Sequence, residues 1–315
     1  MRAFVFPGQG SQAVGMGKAL SEAFSSARLV FEEVDDALGQ KLSHLMFEGP
    51  EGDLTLTENA QPALMAVSLA VLRVLETEGG FKLADKVSYV AGHSLGEYSA
   101  LAAAGAFTLS DTARLLKLRG QAMQKAVPVG EGAMAALLNF DLDRAQKVAA
   151  QAAEETKLVC AIANDNDPSQ VVVSGAKAAV ERAGALALEA GAKRSVMLPV
   201  SAPFHCPLMQ PAAEAMAAAL EKTTIHMPSV PVIANVTAQP VSDPATIRAL
   251  LVQQVTGTVR WRESVQTMKN LNVDRVFELG AGKVLAGLVK RIDKEIEAQS
   301  VGQPADIEAA LKILA

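Results

Sequence analysis

The chain of 315 residues is poor in the residues that build metal centres and covalent cross-links, with two Cys, four His and one Trp. Cys160 and Cys206 sit in no CxxC and there is no HExxH, so neither a structural zinc site nor a disulfide framework is supported, and the thiols read as reduced. No uninterrupted apolar run reaches the ~18 residues of a spanning helix. The mean hydropathy of +0.21 therefore belongs to a buried core. Cations are in deficit too: 29 Lys and Arg face 34 Asp and Glu, and the net charge of −5 leaves no electrostatic footprint for nucleic acid. The opening MRAFVFPGQGSQ has a short apolar run ahead of Pro7, too little for a secretory leader. A cytoplasmic protein with no nucleic-acid or membrane partner is the expectation.

What the chain has is a series of short apolar runs that end in glycine-rich turns and lead into helical patterns. AFVF from Ala3 runs into PGQGSQ, VSYVA from Val87 into GHSLG and EYSALAAA, and VFELG from Val276 into AGKVLAGLVKRI. Each is a βα unit, and together they predict a mainly parallel sheet with turns at the carboxyl ends of its strands, where open α/β sheets build their sites. The middle has a different rhythm. From Gly132 it reads strand, helix, strand, strand, helix, strand, the split βαβ order of a ferredoxin-like unit, with Asp167 to Gln170 as a hairpin turn. The expected fold class is α/β: a large hydrolase-like domain of residues 1–128 and 197–315, interrupted by a ferredoxin-like small domain at 129–196.

Gly92-His93-Ser94-Leu95-Gly96 fits G-x-S-x-G with a strand before it and a helix after it, the context that gives the motif meaning. Such a turn strains the serine backbone, and glycines on either side let the chain pass closely. Ser94 then lies at a helix N-terminus, where the N–H of Leu95 is a first oxyanion donor. A serine hydroxyl needs a base. His93 adjoins Ser94 and points elsewhere, whereas His44 and His226 suit solvated or strand-edge roles. His205, in VSAPFHCPLM between Pro203 and Pro207, is the base, and Cys206 beside it reads as core.

The helix from Ser110 to Ala126, capped by Ser110 or Asp111, places Arg119 on an apolar face with Thr112, Leu115, Leu116 and Met123. A cation there is costly unless an anion meets it, either a buried acid such as Glu97 or a ligand carboxylate. PGQGSQ lacks the third glycine of a dinucleotide loop, and GAGK lacks the Ser or Thr of a P-loop. Gly8-Gln9-Gly10 remains as a strand-end turn with free N–H groups, suited to a second oxyanion donor.

FPGQGSQ, GHSLGEYSAL, LRGQAMQ, SAPFHCPLM and ELGAGKVLAGLVKR, in this order and over almost the whole chain, resemble the malonyl-CoA:acyl-carrier-protein transacylases of bacterial fatty acid synthesis. The resemblance implies Ser94 as nucleophile, His205 as base, the N–H groups of Gln9 and Leu95 as oxyanion hole, and Arg119 as receptor of the malonyl carboxylate. It further implies that the main-chain carbonyl of Gln254 orients His205, that Asn164 faces the cleft, and that Phe204 disfavours methylmalonyl groups. By the same resemblance no cofactor is permanently bound, a coenzyme A thioester is the substrate, the partners are malonyl-CoA and the holo-acyl carrier protein, and the chain is a monomer. Lys193, Arg194, Lys283, Lys290 and Arg291 are candidates for docking an acidic carrier. Three alternatives stand beside this reading. One is a serine esterase or thioesterase with Asp111, Asp141 or Asp165 as third triad member, another a malonyl transferase of a polyketide pathway, and the third a non-catalytic scaffold.

Overall fold

The computed structural model describes residues 1–315. A six-stranded sheet runs in the order β10-β9-β1-β2-β7-β8, from β1 (Arg2–Phe6), β2 (Tyr89–Gly92), β7 (Val232–Ile233), β8 (Pro240–Val241), β9 (Arg275–Leu279) and β10 (Glu297–Val301). All neighbours are parallel except β7 and β8. Ala3 to Phe6 of the central β1 are wholly buried, because helices cover both faces. Alternate side chains divide between two cores. Phe4 and Phe6 join Val90, Phe277 and the helix Thr57–Gly79, while Ala3 and Val5 join Ala91, Ile233, Trp261 and Leu288. The Thr57–Gly79 helix is long and apolar enough to cross a membrane, but Ala63 to Ala66 have almost no exposed surface and lie in the first of these cores.

The second sheet is antiparallel, in the order β4-β5-β3-β6, from β3 (Gly132–Leu138), β4 (Cys160–Asp167), β5 (Gln170–Ala176) and β6 (Arg194–Met197). Helices Leu142–Thr156 and Lys177–Glu189 pack on it through Val148, Ala149, Val180 and Ala183. This is the split βαβ arrangement expected of a ferredoxin-like unit, with β3 and β4 separated by β5. Its β4 edge is not free: Val259 donates to Ala163 O at 2.8 Å, Asp165 donates to Val259 O at 3.0 Å, and Thr258 Oγ1 donates to Ile162 O at 2.7 Å. Two buried carboxylates of the same strand reach the larger sheet's helices, Asp165 to Arg262 and Asp167 to Arg291, each at 2.7 Å. The cleft between the two sheets thus has one wall stapled in place.

Candidate active site

The Ser94 turn is fixed by two glycines that touch each other. A Cβ on Gly92 would stand 1.9 Å from the carbonyl of Gly96, and one on Gly96 would stand 2.2 Å from the Phe6 oxygen. No other residue fits at either position, so β1, β2 and the Leu95–Ala103 helix converge at the turn. Ser94 takes φ 55° and ψ −112°, a strained conformation for a non-glycine residue, and its N–H is held by Asn235 Oδ1 at 2.8 Å. The strain lifts Oγ into the cleft.

His205 comes from the loop that follows β6, also with positive φ, 56°. Its Nδ1 donates to Gln254 O at 2.9 Å and to Gly257 O at 3.1 Å. Carbonyls only accept, so the proton resides on Nδ1 and Nε2 is left to accept from Ser94 Oγ at 2.7 Å. Burial, reinforced by the Arg119 cation, pushes the imidazole down to about 3, so the ring is a neutral base. No carboxylate occupies the third place of a triad. Asp111 and Asp141 serve as helix-terminus groups paired with Arg114 and Arg144, and Asp165 is bound to Arg262.

Arg119, in the helix Leu109–Ala126, is 1% exposed and forms no ion pair. Its partners are neutral: Nη1 donates to Gln61 Oε1 at 2.9 Å, and Nη2 to Gln254 Oε1 at 2.9 Å and to Ser94 Oγ at 3.2 Å, while Nε has no partner. The Tyr98 ring lies 5.6 Å beneath the guanidinium. Glu97 does not meet it directly, because the Gln254 amide stands between them. A buried cation with donors to spare and no anion is suited to receive one.

These groups share one cavity of about 380 Å³ lined by Gln9, Ser94, Leu95, Arg119, Asn164, Phe204 and His205, with Met123, Met134, Leu198 and Val200 as apolar wall. Gln254 is fully buried behind it, whereas the neighbouring Gln253 is exposed. The N–H groups of Gln9 and Leu95 have no acceptor within the chain. A strained serine, a neutral histidine, two free N–H groups and an unpaired buried arginine suit acyl transfer from a carboxylated thioester. The acyl transferase domain family model matches residues 3–302. The chain belongs to the acyl transferase domain family.

Among members of this family, the chain is 46% identical to the malonyl CoA-acyl carrier protein transacylase of Bacillus subtilis over 99% of its own length and 96% of that protein. It is 45% identical to the protein of the same name from Escherichia coli K12, covering 99% of both. Among solved structures, the acyl-carrier-protein-S-malonyltransferase of Bartonella henselae superposes with a TM-score of 0.96 at 59% identity, with 99% of each chain covered. A malonyl-transacylase solved with its type II polyketide synthase acyl carrier protein superposes with a TM-score of 0.95 at 42% identity, again with 99% of each covered.

Several details of this acyltransferase differ from what the sequence suggested. Thr108, not Ser110 or Asp111, caps the Arg119 helix, with its Oγ1 accepting from the N–H of Asp111 at 3.0 Å, so the helix begins a residue earlier, at Leu109. Arg291 is committed to Asp167 rather than left free for a carrier. His93 does turn away from Ser94, its Nε2 meeting Asn166 Oδ1 at 2.9 Å, and His44 and His226 are exposed. Cys206 donates to Pro203 O at 3.1 Å, and burial pushes its thiol up and that of Cys160 up to about 12. Sequence reasoning missed Gln61, Asn235 and the Gly257 carbonyl, and it offered Glu97 as a partner of Arg119 where the structure pairs it with Gln254 and Asn235. A signal existed for Gln61, a polar residue inside the apolar run NAQPALMAV, on the same grounds that singled out Arg119.

Proposed function

We propose that this acyltransferase moves a malonyl group from malonyl-CoA to the phosphopantetheine thiol of acyl carrier protein, supplying fatty acid synthesis in the cytoplasm. The observation that carries the reading is Arg119, buried, without an anion, and 3.2 Å from the nucleophile. His205 Nε2 takes the Ser94 proton as Oγ attacks the thioester carbonyl, and the oxyanion rests on the N–H groups of Gln9 and Leu95. Collapse expels coenzyme A, whose sulfur takes the proton back from the imidazolium. The carrier thiol then gives its proton to His205, attacks the malonyl-Ser94 ester, and regenerates the serine. The Gln254 and Gly257 carbonyls orient the base, so this dyad operates without an Asp.

Arg119 holds the malonyl carboxylate while the ester waits, which positions the acyl group for the thiol. Phe204 narrows the cavity against an α-methyl branch, and Asn164 faces the thioester arm from the small domain, taken as residues 129–196. Coenzyme A enters as a substrate thioester, and no permanent cofactor is required. In this reading the chain acts as a monomer.

Incubation with malonyl-CoA followed by intact-mass and peptide spectrometry tests the reading. One malonyl group on Ser94, absent in Ser94→Ala and discharged by holo-acyl carrier protein, is expected. No adduct, or an adduct lost to water as fast as to the carrier, overturns it in favour of a scaffold or a hydrolase.

A further inference from the structure

One buried ionisable group has no part in that mechanism. Glu97 is 3% exposed, and its Oε2 accepts from Gln254 Nε2 at 2.7 Å and from the N–H of Asn235 at 3.1 Å. Burial pushes its carboxyl up to about 7. Holding an acid so far out of water is costly, and the two donors that meet it show what it organises.

Gln254 has the more telling geometry. Its Nε2 reaches Glu97 and also the backbone oxygen of Ser94 at 3.0 Å, while its Oε1 accepts from Arg119 Nη2 at 2.9 Å. Rotating the amide would set Nε2 against a guanidinium that only donates. It would also set Oε1 against the Ser94 carbonyl and against a Glu97 oxygen that already accepts from Asn235. All three new contacts are repulsive, so Glu97 and Ser94 dictate which end of the amide Arg119 meets. Asn235, held through its N–H by Glu97, accepts from the Ser94 N–H at 2.8 Å and donates to Gly92 O at 2.6 Å. We infer that Glu97 is a positioning residue for acyl selection: it locks the Gln254 amide with Oε1 toward Arg119 and thereby aims the guanidinium at the substrate carboxylate. Glu97 itself lines no part of the cavity and touches no reacting atom.

The inference rests on the malonyl reading above, and the readout is the ratio of kcat/KM for malonyl-CoA to that for acetyl-CoA. Glu97→Leu removes the acceptor at similar volume, and the ratio should fall about tenfold, the value of one charge-assisted hydrogen bond. Glu97→Gln retains a carbonyl in the same place and should keep the ratio within about threefold of wild type, given that one neutral hydrogen bond replaces a stronger one. A purely structural role would depress both substrates together and leave the ratio where it was. Should Glu97→Leu not fold, Glu97→Asp, which withdraws the carboxylate from Gln254 by one methylene, is expected to lower the ratio between the other two. An unchanged ratio in Leu or Asp, with wild type forming the malonyl-Ser94 ester, overturns the positioning role. Absence of that ester in wild type overturns the malonyl reading instead.

Discussion

Replacing Arg119 by Met keeps the length of the side-chain stem while removing the charge, and it isolates the receptor role of the guanidinium. In wild type the guanidinium gives three hydrogen bonds to neutral acceptors and carries no anion, so a malonyl carboxylate entering the cavity meets an unpaired buried cation. Without it the carboxylate is buried alone, which costs about 3–5 kcal/mol, or between about two and four powers of ten in kcat/KM. The lower half of that range is expected, because Gln61, whose Nε2 is spent on a weak contact with Met123 Sδ at 3.7 Å, can turn a donor toward the carboxylate. An acetyl group has no carboxylate to strand. Its transfer should change by no more than about tenfold, the worth of the lost Arg119 contact to Ser94 Oγ. The assay is a competition between malonyl-CoA and acetyl-CoA under single-turnover conditions, read as the acyl group found on Ser94. A malonyl-to-acetyl ratio that falls by less than about tenfold would refute the receptor role.

Other outcomes follow from the same geometry. His205→Ala should lower the rate of Ser94 acylation by about three to four powers of ten, measured by rapid quench, and a near-normal rate would return the base to His93. His205 is lowered to about 3 from 6.5, so the acid limb of kcat/KM should lie well below the usual histidine range, and it should move upward in Arg119→Met as the neighbouring cation is lost; a limb at 6.5 in both proteins contradicts this. Glu97 is raised from 4.5 to about 7, so the folded state binds the extra proton, and the stability it contributes is present below pH 4.5 and is lost as pH rises to 7. Denaturant melts of Glu97→Gln should show a smaller loss across that window than wild type, and parallel curves would refute the assignment. Gly96→Ala drives a Cβ to 2.2 Å from the Phe6 oxygen and should destabilise the fold by more than about 3 kcal/mol, whereas a wild-type melting temperature would show that the turn can relax.

The features legible in the sequence were those whose chemistry is local or breaks a pattern. Ser94 is announced by glycines whose side chains would collide, Arg119 by a cation at apolar spacing, and His205 by its loop in a chain with few alternatives. The carbonyl of Gln254 has no side-chain signature, so only resemblance to relatives pointed to it. Asn235 was silent, and the Gln254 partnership of Glu97 was hidden, for another reason. Asn235 lies 141 residues from Ser94, and the Gln254 amide joins Glu97 across 157, so their contacts exist only after β7 and the helix Pro244–Thr256 have come to rest beside the Ser94 turn. The parallel sheet and the split βαβ order were legible because each depends on short-range periodicity, whereas the stapling of β4 by Thr258 and Val259 joins segments almost a hundred residues apart.

That staple bears on how this enzyme could be re-engineered. The stretch from Gln254 to Val259 gives two carbonyls to the His205 imidazole at one end and completes the border of the smaller sheet at the other. Grafting a foreign small domain to alter substrate choice would therefore also tug on the imidazole. A chimera that exchanges residues 129–196 needs to carry Thr258 and Val259, together with cations matched to Asp165 and Asp167, as part of the same transplant.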